Sequence, residues 1–323
     1  MFKKSKIISF NGGLGDMLIL TIIFKNFFDK LKINFSVVTK YPSLFMNLEY
    51  LDKVYGPNLF YINFRKFFKT GYHDITYRCW SHLLPEQKQI FNTHVVEQIC
   101  YQLGLSGKIM LKPDMCFSKS ELDSFVQPKS PYIVVQSQAS HSNHPQTTKN
   151  WGVEKMQEVV DFLGEKFEII QIGSPKDSRL TGITDYCGKT TIREAGLLLK
   201  KSRMFLGLEG ALMHMARAVD CPSVIVWGGR LKPYQIGYPC FENVTVDLEC
   251  SPCWLPNACP KDLECMKRIH PDQVIEASQR ILDKTDRSLP VDEILVQKKI
   301  TPKKMKEEIL NFPPHLDHLI EWN

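Results

Sequence analysis

Short β-favouring runs alternate with helix-spaced apolar residues along most of this chain, and this alternation constrains its fold more than any other feature. Residues 6–10 form the first such run, and a glycine-rich turn separates it from an apolar pattern of helical spacing. That pattern consists of Leu20, Ile23, Phe24, Phe27 and Phe28. Residues 35–39 and 75–77 are predicted as later strands. Strands and helices in this order predict a parallel sheet with helices on both faces.

The same alternation starts again after residues 118–131, a polar stretch with two prolines that we interpret as a linker. Further strands, with helical patterns between them, are predicted at residues 132–136, 168–172, 204–206 and 223–227. A chain of 323 residues is long enough for two domains. We therefore predict an α/β fold of two Rossmann-like domains that face a cleft, at residues 1–125 and 131–283. A C-terminal tail at residues 284–323 is expected to pack back across them.

Composition excludes several classes of protein. Hydrophobic residues make up 43% of the chain and charged residues 24%, which is typical of globular proteins and argues against long disorder. The 41 Lys and Arg residues exceed the 35 Asp and Glu residues by six, which suits acidic or phosphorylated substrates but is too little to indicate nucleic-acid binding. No apolar run approaches the roughly 20 residues of a membrane span, and the N-terminus lacks the cleavage site of a signal peptide. We expect a cytoplasmic protein.

The glycine-rich turn at residues 12–16, with the sequence GGLGD, is the first candidate for ligand binding. Glycines let a ligand approach the backbone, and the helix that follows favours negative charge at its start. A tight turn alone is an equal alternative, with Asp16 stabilising the first helical turn. A dinucleotide-binding turn needs the spacing G-x-G-x-x-G and an acidic residue at the end of the second strand, where this chain has Lys40. This difference argues against a nicotinamide-dependent enzyme.

Two later loops lie where sheets of this kind bind ligands, between the end of a strand and the start of a helix. Residues 137–151 contain His141, His144, two threonines and Lys149, which suit a diphosphate, although a flexible polar loop is favoured for this segment taken alone. In residues 207–214, small side chains would let backbone N–H groups reach a phosphate, with polar side chains beside them. A ligand site and a structural histidine are equal alternatives there.

Taken in order, these loops resemble those of the heptosyltransferase-like glycosyltransferases, which are inverting enzymes with the GT-B fold. Residues 12–18 are similar to the family's first glycine loop, and residues 147–151 (TTKNW) to its phosphate loop. Residues 173–177 (GSPKD) resemble the turn that contacts the donor ribose. Residues 209–214 (EGALMH) resemble the D-[ST]-G-x-x-H signature, which is the most specific of the set.

The resemblance covers residues from about 5 to about 283 and implies roles for individual residues. Asp16 is implied as the base that deprotonates the acceptor hydroxyl. The implied donor-binding residues are Gly13, Thr147, Thr148, Lys149, Asp177, Glu209, Gly210, Ala211, Leu212, Met213 and His214. Some of these depart from the family pattern, because Glu209 replaces Asp, Gly210-Ala211 replaces a hydroxyl residue and glycine, and Asp177 replaces Glu. The departures bear on which nucleotide sugar is the donor.

The function implied by the resemblance is transfer of a sugar, with ADP-heptose as the favoured donor, to a hydroxyl group of a glycan or a protein. No catalytic metal is expected, because Lys149 and helix N-termini can neutralise the leaving diphosphate. The alternative is a non-catalytic GT-B-like assembly or binding protein with a structural metal finger.

Four cysteines fall within residues 250–265, a segment that we call the cysteine finger: Cys250, Cys253, Cys259 and Cys265. Thiolates at the spacing C-x2-C-x5-C-x5-C can reach one tetrahedral ion, so we predict a structural zinc or iron ion with no open position for catalysis. Similar fingers occur in the heptosyltransferase-like enzymes that modify autotransporter proteins, and this resemblance favours iron. Unliganded thiols or two disulfides are the alternatives.

Two other segments bear on partners. Residues 60–72 combine aromatic and basic side chains, and packing on their own domain is favoured over contact with an acceptor or a membrane surface. Lysines recur at residues 298–306 of the C-terminal tail, a pattern that most often marks a solvated face. We expect no nucleic-acid partner, while peripheral contact with the inner membrane surface and a homo-oligomer stay open.

Overall fold

The computed structural model describes residues 6–9, 12–56, 72–74, 93–126, 128, 131–139, 146–284 and 286–296. Several sequence predictions fall outside those residues: the strand at 75–77, nearly all of the aromatic and basic stretch at 60–72, His141, His144 and the lysines beyond residue 297. Within the described ranges, no helix combines the length and the apolar character needed to cross a membrane.

The N-terminal half of the chain forms a parallel sheet with the strand order β3-β2-β1-β4. Its strands are β1 (Lys6–Ser9), β2 (Phe35–Val38), β3 (Leu51–Tyr55) and β4 (Tyr72–Asp74). The first two confirm the strands predicted at residues 6–10 and 35–39. The sequence pattern does not predict β3, because the exposed Asp52 and Lys53 of this edge strand interrupt its apolar run.

Helix α1 (Leu14–Leu31) connects β1 to β2 and is buried along much of its length. All residues from Met17 to Phe24 are buried, because the sheet covers one side of the helix and a helix of the C-terminal half covers another. The ring of Phe24 stacks on Phe35 of β2 with centroids 4.9 Å apart. The remaining elements of this half are a 3-10 helix at Pro42–Phe45, α2 (Val95–Leu103), β5 (Gly107–Met110) and α3 (Lys119–Ser124).

The C-terminal half forms a second parallel sheet, with the strand order β11-β10-β9-β6-β7-β8. Its strands are β6 (Tyr132–Val135), β7 (Glu168–Gln171), β8 (Thr184–Asp185), β9 (Phe205–Leu208), β10 (Ser223–Val226) and β11 (Glu242–Val244). Its helices are α4 (Val153–Gly164), α5 (Ile192–Lys201), α6 (Ala211–Ala218), α7 (Pro233–Ile236), α8 (Glu264–Lys267) and α9 (Pro271–Leu282). The four strands predicted in this half correspond to β6, β7, β9 and β10, which are almost entirely buried, as expected for strands covered on both faces.

The strand order of the second sheet creates a topological switch point. Strands β6 and β9 pair with each other, and the chain continues from β6 to β7 on one side and from β9 to β10 on the other. Loops that leave two such strands turn in opposite directions and open a crevice at the carboxyl ends of the strands. Residues 137–151 follow β6 and residues 209–210 follow β9, so both predicted ligand loops start at this crevice.

Residues 286–296 return from the second sheet to the N-terminal half. Strand β12 (Glu293–Val296) pairs antiparallel with β5. The buried guanidinium of Arg217 in α6 donates to the Pro290 carbonyl at 2.8 Å, and Arg287 donates to two backbone carbonyls just after α5. The C-terminal tail therefore packs back across both halves, as predicted, in the part that the structure describes. The predicted domain boundaries themselves stay a prediction.

A charged pair also joins the two halves. The Arg193 guanidinium of α5 donates to the two carboxylate oxygens of Glu121 in α3, at 2.7 and 2.8 Å, and to the Cys116 carbonyl at 2.6 Å. The same guanidinium lies 4.4 Å from the centroid of the Phe117 ring. Hydrogen bonding from Arg193 lowers the pKa of Glu121 to about 2. The pair therefore stabilises the contact between the halves while Glu121 is ionised.

We expect Arg193→Met to lower the free energy of unfolding by about 2 kcal/mol, because it removes the cation that hydrogen-bonds Glu121. The folded-state pKa of Glu121 lies below its ordinary value of 4.5, so the pair stabilises the fold above pH 4.5 and loses this effect as the pH falls toward 2. Urea unfolding across that range should show the difference between variant and wild type shrinking with acid. A constant difference would contradict the assignment. Arg268→Met, which removes an exposed pair with Glu264, is the control and should change stability little.

Candidate active site

Helices α1 and α6 meet at their first turns, and this contact defines the site. A Cβ atom at Gly15 would lie 3.0 Å from Cδ2 of His214 and 3.3 Å from Cα of Ala211. The two helices come from different halves of the chain, so the glycine allows an approach that a side chain would obstruct. The predicted base in the first turn of α1 and the predicted donor loop at the start of α6 are therefore neighbours.

The Asp16 carboxylate is held by the helix that carries it. Its Oδ2 atom accepts a hydrogen bond from the Gly13 N–H at 2.6 Å, which closes the first turn of α1. A Cβ atom at Gly12 would collide with the same side chain, so the turn has no room for a larger residue there. The glycine-rich turn thus fixes the direction of the carboxylate. Its role as a base stays a prediction.

Lys149 and Glu209 form an ion pair that joins the loop after β6 to the loop after β9. The Nζ atom of Lys149 lies 2.6 Å from Oε2 of Glu209, and the two side chains are 16% and 8% exposed. Burial alone would raise the pKa of Glu209, but the charge and hydrogen bond of Lys149, with a smaller effect of Arg230, hold it below its ordinary value. A charged amine is thereby placed in the crevice at the switch point.

The start of α6 supplies backbone donors beside this ion pair. The first backbone hydrogen bond of the helix runs from the His214 N–H to the Gly210 carbonyl, at 3.3 Å. The N–H groups of Ala211, Leu212 and Met213 precede it and have no acceptor within the helix. They carry the partial positive charge of a helix N-terminus, which favours an anion. Met213 is fully buried, so its side chain belongs to the core and only its backbone can serve a ligand.

Two buried histidines lie near the contact between α1 and α6. The Nδ1 atom of His214 is 2.8 Å from the Tyr238 hydroxyl, and the Nε2 atom of His94 is 3.1 Å from the Gly237 carbonyl. Burial lowers the pKa of His214 to about 3 and that of His94 to about 4. Both imidazoles are therefore neutral near neutral pH, and His214 can act as a hydrogen-bonding group but not as a cation.

The two threonines of the phosphate loop contact the cysteine finger. The Thr148 hydroxyl donates to the Leu255 carbonyl at 2.6 Å and lies 3.1 Å from the Pro256 carbonyl. The N–H and hydroxyl of Thr147 are 3.2 and 3.3 Å from Oδ1 of Asn257. In this structure the hydroxyls attach the loop to the finger, a contact that the sequence pattern does not predict. Their role as diphosphate ligands stays a prediction.

Asp177 closes the turn at residues 173–177. Its Oδ2 atom accepts a hydrogen bond from the Ser174 N–H at 2.9 Å, and the residue is 4% exposed. A Cβ atom at Gly173 would collide with the carboxylate, which explains the glycine at this position. Asp177 thus shapes its own turn, and its predicted contact with the donor ribose stays a prediction.

The cysteine finger packs directly beneath these loops. The Cys253 N–H donates to the Gly229 carbonyl at 2.8 Å, and a Cβ atom at Gly229 would lie 3.3 Å from Sγ of Cys265. Burial raises the pKa of the Cys253 thiol, and the charges of Cys259, Cys265 and Cys250 raise it further. Cys253 and Cys265 therefore both lie against Gly229. All four cysteines of the finger are free thiols, so the two-disulfide alternative is not observed.

The described residues contain no group of three or more His, Cys, Asp or Glu side chains arranged to hold a metal ion. The predicted zinc or iron site is therefore not preformed in the structure. The thiols are close enough to influence one another but do not surround a common point.

Arg230 is a residue of the site that the sequence patterns do not single out. It follows two glycines at the carboxyl end of β10, and β10 lies beside β9 in the sheet. Glu209 and Cys253 both raise the pKa of the Arg230 guanidinium, so Arg230 lies near the ion pair and near the finger. Its position after a strand next to the switch point is the signal that could have identified it.

Residues 82–254 match the family described as glycosyltransferase family 9 (heptosyltransferase). The chain is 28% identical over 178 residues to lipopolysaccharide heptosyltransferase 3 of Escherichia coli strain K12, a match that covers 48% of this chain and 49% of that protein. The chain thus spans about half the length of this curated relative.

Solved structures share the fold at low sequence identity. The iron-containing dodecameric glycosyltransferase TibC from enterotoxigenic E. coli H10407 superposes with a TM-score of 0.65 and 16% identity, over 87% of this chain and 76% of that chain. The E. coli ADP-heptose lipopolysaccharide heptosyltransferase II superposes with a TM-score of 0.61 and 14% identity, over 86% of this chain and 98% of that chain. These similarities confirm the predicted GT-B fold.

Proposed function

The chain belongs to glycosyltransferase family 9, the heptosyltransferase family, and from this premise we propose that it transfers a heptose from ADP-heptose to a hydroxyl group of a glycan or a protein. The observation that carries the proposal is the contact of α1 with α6 at Gly15, which makes Asp16 a neighbour of the N-terminus of α6. An inverting transfer needs a base on one side of the sugar and positive charge on the other, and these two helix starts supply both.

The donor diphosphate is bound by Lys149 and by the backbone N–H groups of Ala211, Leu212 and Met213. Support comes from the start of α6 at the switch point and from the Lys149 amine, which lies 2.6 Å from Glu209. When the bond between the anomeric carbon and the diphosphate oxygen breaks, its electron pair goes to that oxygen. Lys149 and the helix N-terminus stabilise the resulting charge, so the mechanism calls for no divalent ion.

Asp16 takes the proton of the acceptor hydroxyl while the hydroxyl oxygen bonds to the anomeric carbon. Its hydrogen bond from the Gly13 N–H supports this role, because the carboxylate is held in one direction before the acceptor arrives. His214, neutral and buried, contributes a hydrogen bond to the donor and does not compete as a base, since its pKa is about 3.

The cysteine finger holds a structural zinc or iron ion through Cys250, Cys253, Cys259 and Cys265. The chemistry of the donor set supports this assignment, because four cysteine thiolates are a tetrahedral donor set that zinc and iron both accept. The described side chains are not arranged around an ion, so the thiols would have to come together to bind one. The neighbour TibC is iron-containing, which supports iron. A bound ion cross-links the finger and so supports the loop that carries Lys149.

We expect Cys253→Ser to reduce the metal content of the purified chain, to lower its thermal midpoint and to weaken ADP binding about tenfold. The affinity falls because the finger anchors Thr147 and Thr148, which precede Lys149. Metal analysis, thermal unfolding and calorimetry measure the three effects. Cys240→Ser, at a half-buried cysteine outside the finger, should leave the metal content unchanged. Absence of metal from the purified wild-type chain, or an unchanged metal content in Cys253→Ser, would exclude this site.

The donor is tested by incubating the chain with ADP-heptose and with GDP-, UDP- and CMP-linked sugars. We expect ADP-heptose to raise the thermal midpoint most, since a ligand at 100 times its Kd stabilises a fold by about 2.7 kcal/mol. Release of ADP from it should also be detectable. If none of the four donors binds or is cleaved, the chain is a non-catalytic GT-B-like assembly or binding protein instead.

Assembly and location form the last part of the proposal. TibC is dodecameric, which supports a homo-oligomer of this chain. We place the protein in the cytoplasm at the inner membrane surface, where the acceptor of a lipopolysaccharide heptosyltransferase such as the E. coli relative would be reached. Size measurement in solution and fractionation of cells test these two points.

A further inference from the structure

Arg230 is held in place by the cysteine finger. Its carbonyl accepts a hydrogen bond from the Trp254 N–H at 3.0 Å, and the preceding carbonyl, of Gly229, accepts one from the Cys253 N–H at 2.8 Å. These bonds tie the backbone after β10 to the finger on one side. Arg230 therefore starts from a fixed backbone at the carboxyl end of the sheet.

The side chain of Arg230 has hydrogen-bonding capacity that the described part of the protein does not use. Its Nε and Nη1 atoms are buried, and neither has an acceptor among the residues that the structure describes. Buried polar groups are nearly always hydrogen-bonded, and leaving a charged group unsatisfied is costly. The arrangement points to an acceptor that comes from outside the chain.

The surroundings of Arg230 select an anion. Burial lowers the pKa of the guanidinium, while Glu209 raises it, so Glu209 lies close enough to act on its charge. Glu209 is already paired with Lys149 at 2.6 Å, and His214 is neutral. The charges of Lys149, Arg230 and Glu209 sum to one net positive charge, which lies beside the N-terminus of α6. A guanidinium presents parallel N–H groups that fit two oxygens of one phosphate.

We propose that Arg230 is a ligand of the donor diphosphate, to which its Nε and Nη1 atoms donate hydrogen bonds when the nucleotide sugar enters. This inference rests on the proposed function and adds a second cation to the site of Lys149. It also gives the finger a direct connection to the leaving group, because the finger holds the backbone of Arg230.

The thiol of Cys253 is another titratable neighbour of Arg230. If the guanidinium interacts with the cysteines of the finger and not with the donor, its removal will reduce metal binding and stability but leave the affinity for nucleotides unchanged. The experiment therefore measures both properties on the same protein samples.

The test compares Arg230→Met with wild type by calorimetric titration of the full chain with ADP and with adenosine. We expect the affinity for ADP to fall at least about tenfold, as for a lost hydrogen bond to a charged group, and the affinity for adenosine to stay unchanged. Arg230→Lys keeps the charge but not the parallel donors, so its ADP affinity should lie between the two. Arg268→Met, which removes an exposed arginine just after α8, is the matched control and should bind ADP like wild type.

The outcomes separate this inference from the proposed function. If wild type binds none of ADP, GDP, UDP and CDP, the proposed function fails. If wild type binds a nucleoside diphosphate and Arg230→Met binds it equally well, the function stands and the role of Arg230 is overturned. Metal loss in Arg230→Met with unchanged ADP affinity overturns it too and assigns Arg230 to the finger. If Arg230→Met does not fold, the test uses Arg230→Lys instead. An ADP affinity of Arg230→Lys equal to that of wild type would then overturn the role of Arg230.

Discussion

Asp16→Asn is expected to reduce the rate of sugar transfer by about 10² to 10⁴-fold while leaving ADP-heptose affinity nearly unchanged. The amide cannot take the proton of the acceptor hydroxyl, but its oxygen can still accept the hydrogen bond from the Gly13 N–H that closes the first turn of α1. The fold should lose only about 0.3 to 1 kcal/mol, from the removal of a negative charge at a helix N-terminus. Steady-state kinetics and calorimetry measure the two effects.

The control for this variant is Asp29→Asn on the same helix. Asp29 pairs with Lys25 at 3.3 Å on the half-exposed face of α1, away from the contact with α6. Asp29→Asn makes the same chemical change at an exposed ion pair, so a normal transfer rate and little change in stability are expected. If Asp16→Asn turned over within a few-fold of wild type, Asp16 would have no part in proton transfer.

Lys149→Met is expected to weaken donor binding strongly and to reduce kcat/KM by about 10³-fold. In the proposed mechanism the lysine is a cation beside the diphosphate, and its removal also leaves the Glu209 carboxylate, 8% exposed, without its closest cation. Burial would then raise the pKa of Glu209, because the lysine that held it down is gone. The folded state of the variant should therefore lose stability as the pH rises toward neutral, which wild type does not do.

The double variant Lys149→Met with Glu209→Gln separates binding from stability. A neutral amide removes the cost of a buried unpaired charge, so the free energy of unfolding should recover most of its loss. Donor binding should remain weak, because no cation has been restored. Recovery of wild-type ADP affinity in the double variant would mean that Lys149 acts only by neutralising Glu209.

The sequence was sufficient to predict a candidate site because its signals are local. The glycine turn before Asp16 follows β1 of the first sheet, and the small residues after Glu209 follow β9 of the second sheet. In each parallel sheet, loops at the carboxyl ends of the strands are the ones that bind ligands. The strands β6 and β9 were both predicted, and their adjacency at the switch point brings Lys149 to Glu209. The order of the motifs along the chain then supplied the family resemblance.

The partners of individual side chains could not be predicted, because they depend on residues far apart in sequence. The Thr148 hydroxyl donates to Leu255, more than a hundred positions later, and no local pattern distinguishes that acceptor from a phosphate. Arg230 belongs to no motif, and its unsatisfied N–H groups become evident only once the finger and Glu209 surround it.

Two parts of the fold were missed for a similar reason. Strand β5 (Gly107–Met110) pairs with β12 (Glu293–Val296), far later in the chain, and each strand is too short and too exposed to be recognised alone. In the edge strand β3, buried and exposed residues do not alternate, since the consecutive residues Asp52 and Lys53 are both exposed. Pairing, and not local propensity, determines these elements.

The most direct test of this account is a crystal structure of Asp16→Asn with intact ADP-heptose. We expect the diphosphate oxygens to lie within hydrogen-bond distance of the Lys149 amine and of the Ala211 and Leu212 N–H groups. The anomeric carbon should face residue 16. A diphosphate bound elsewhere, with the pair of Lys149 and Glu209 undisturbed and residue 16 remote from the sugar, would contradict it.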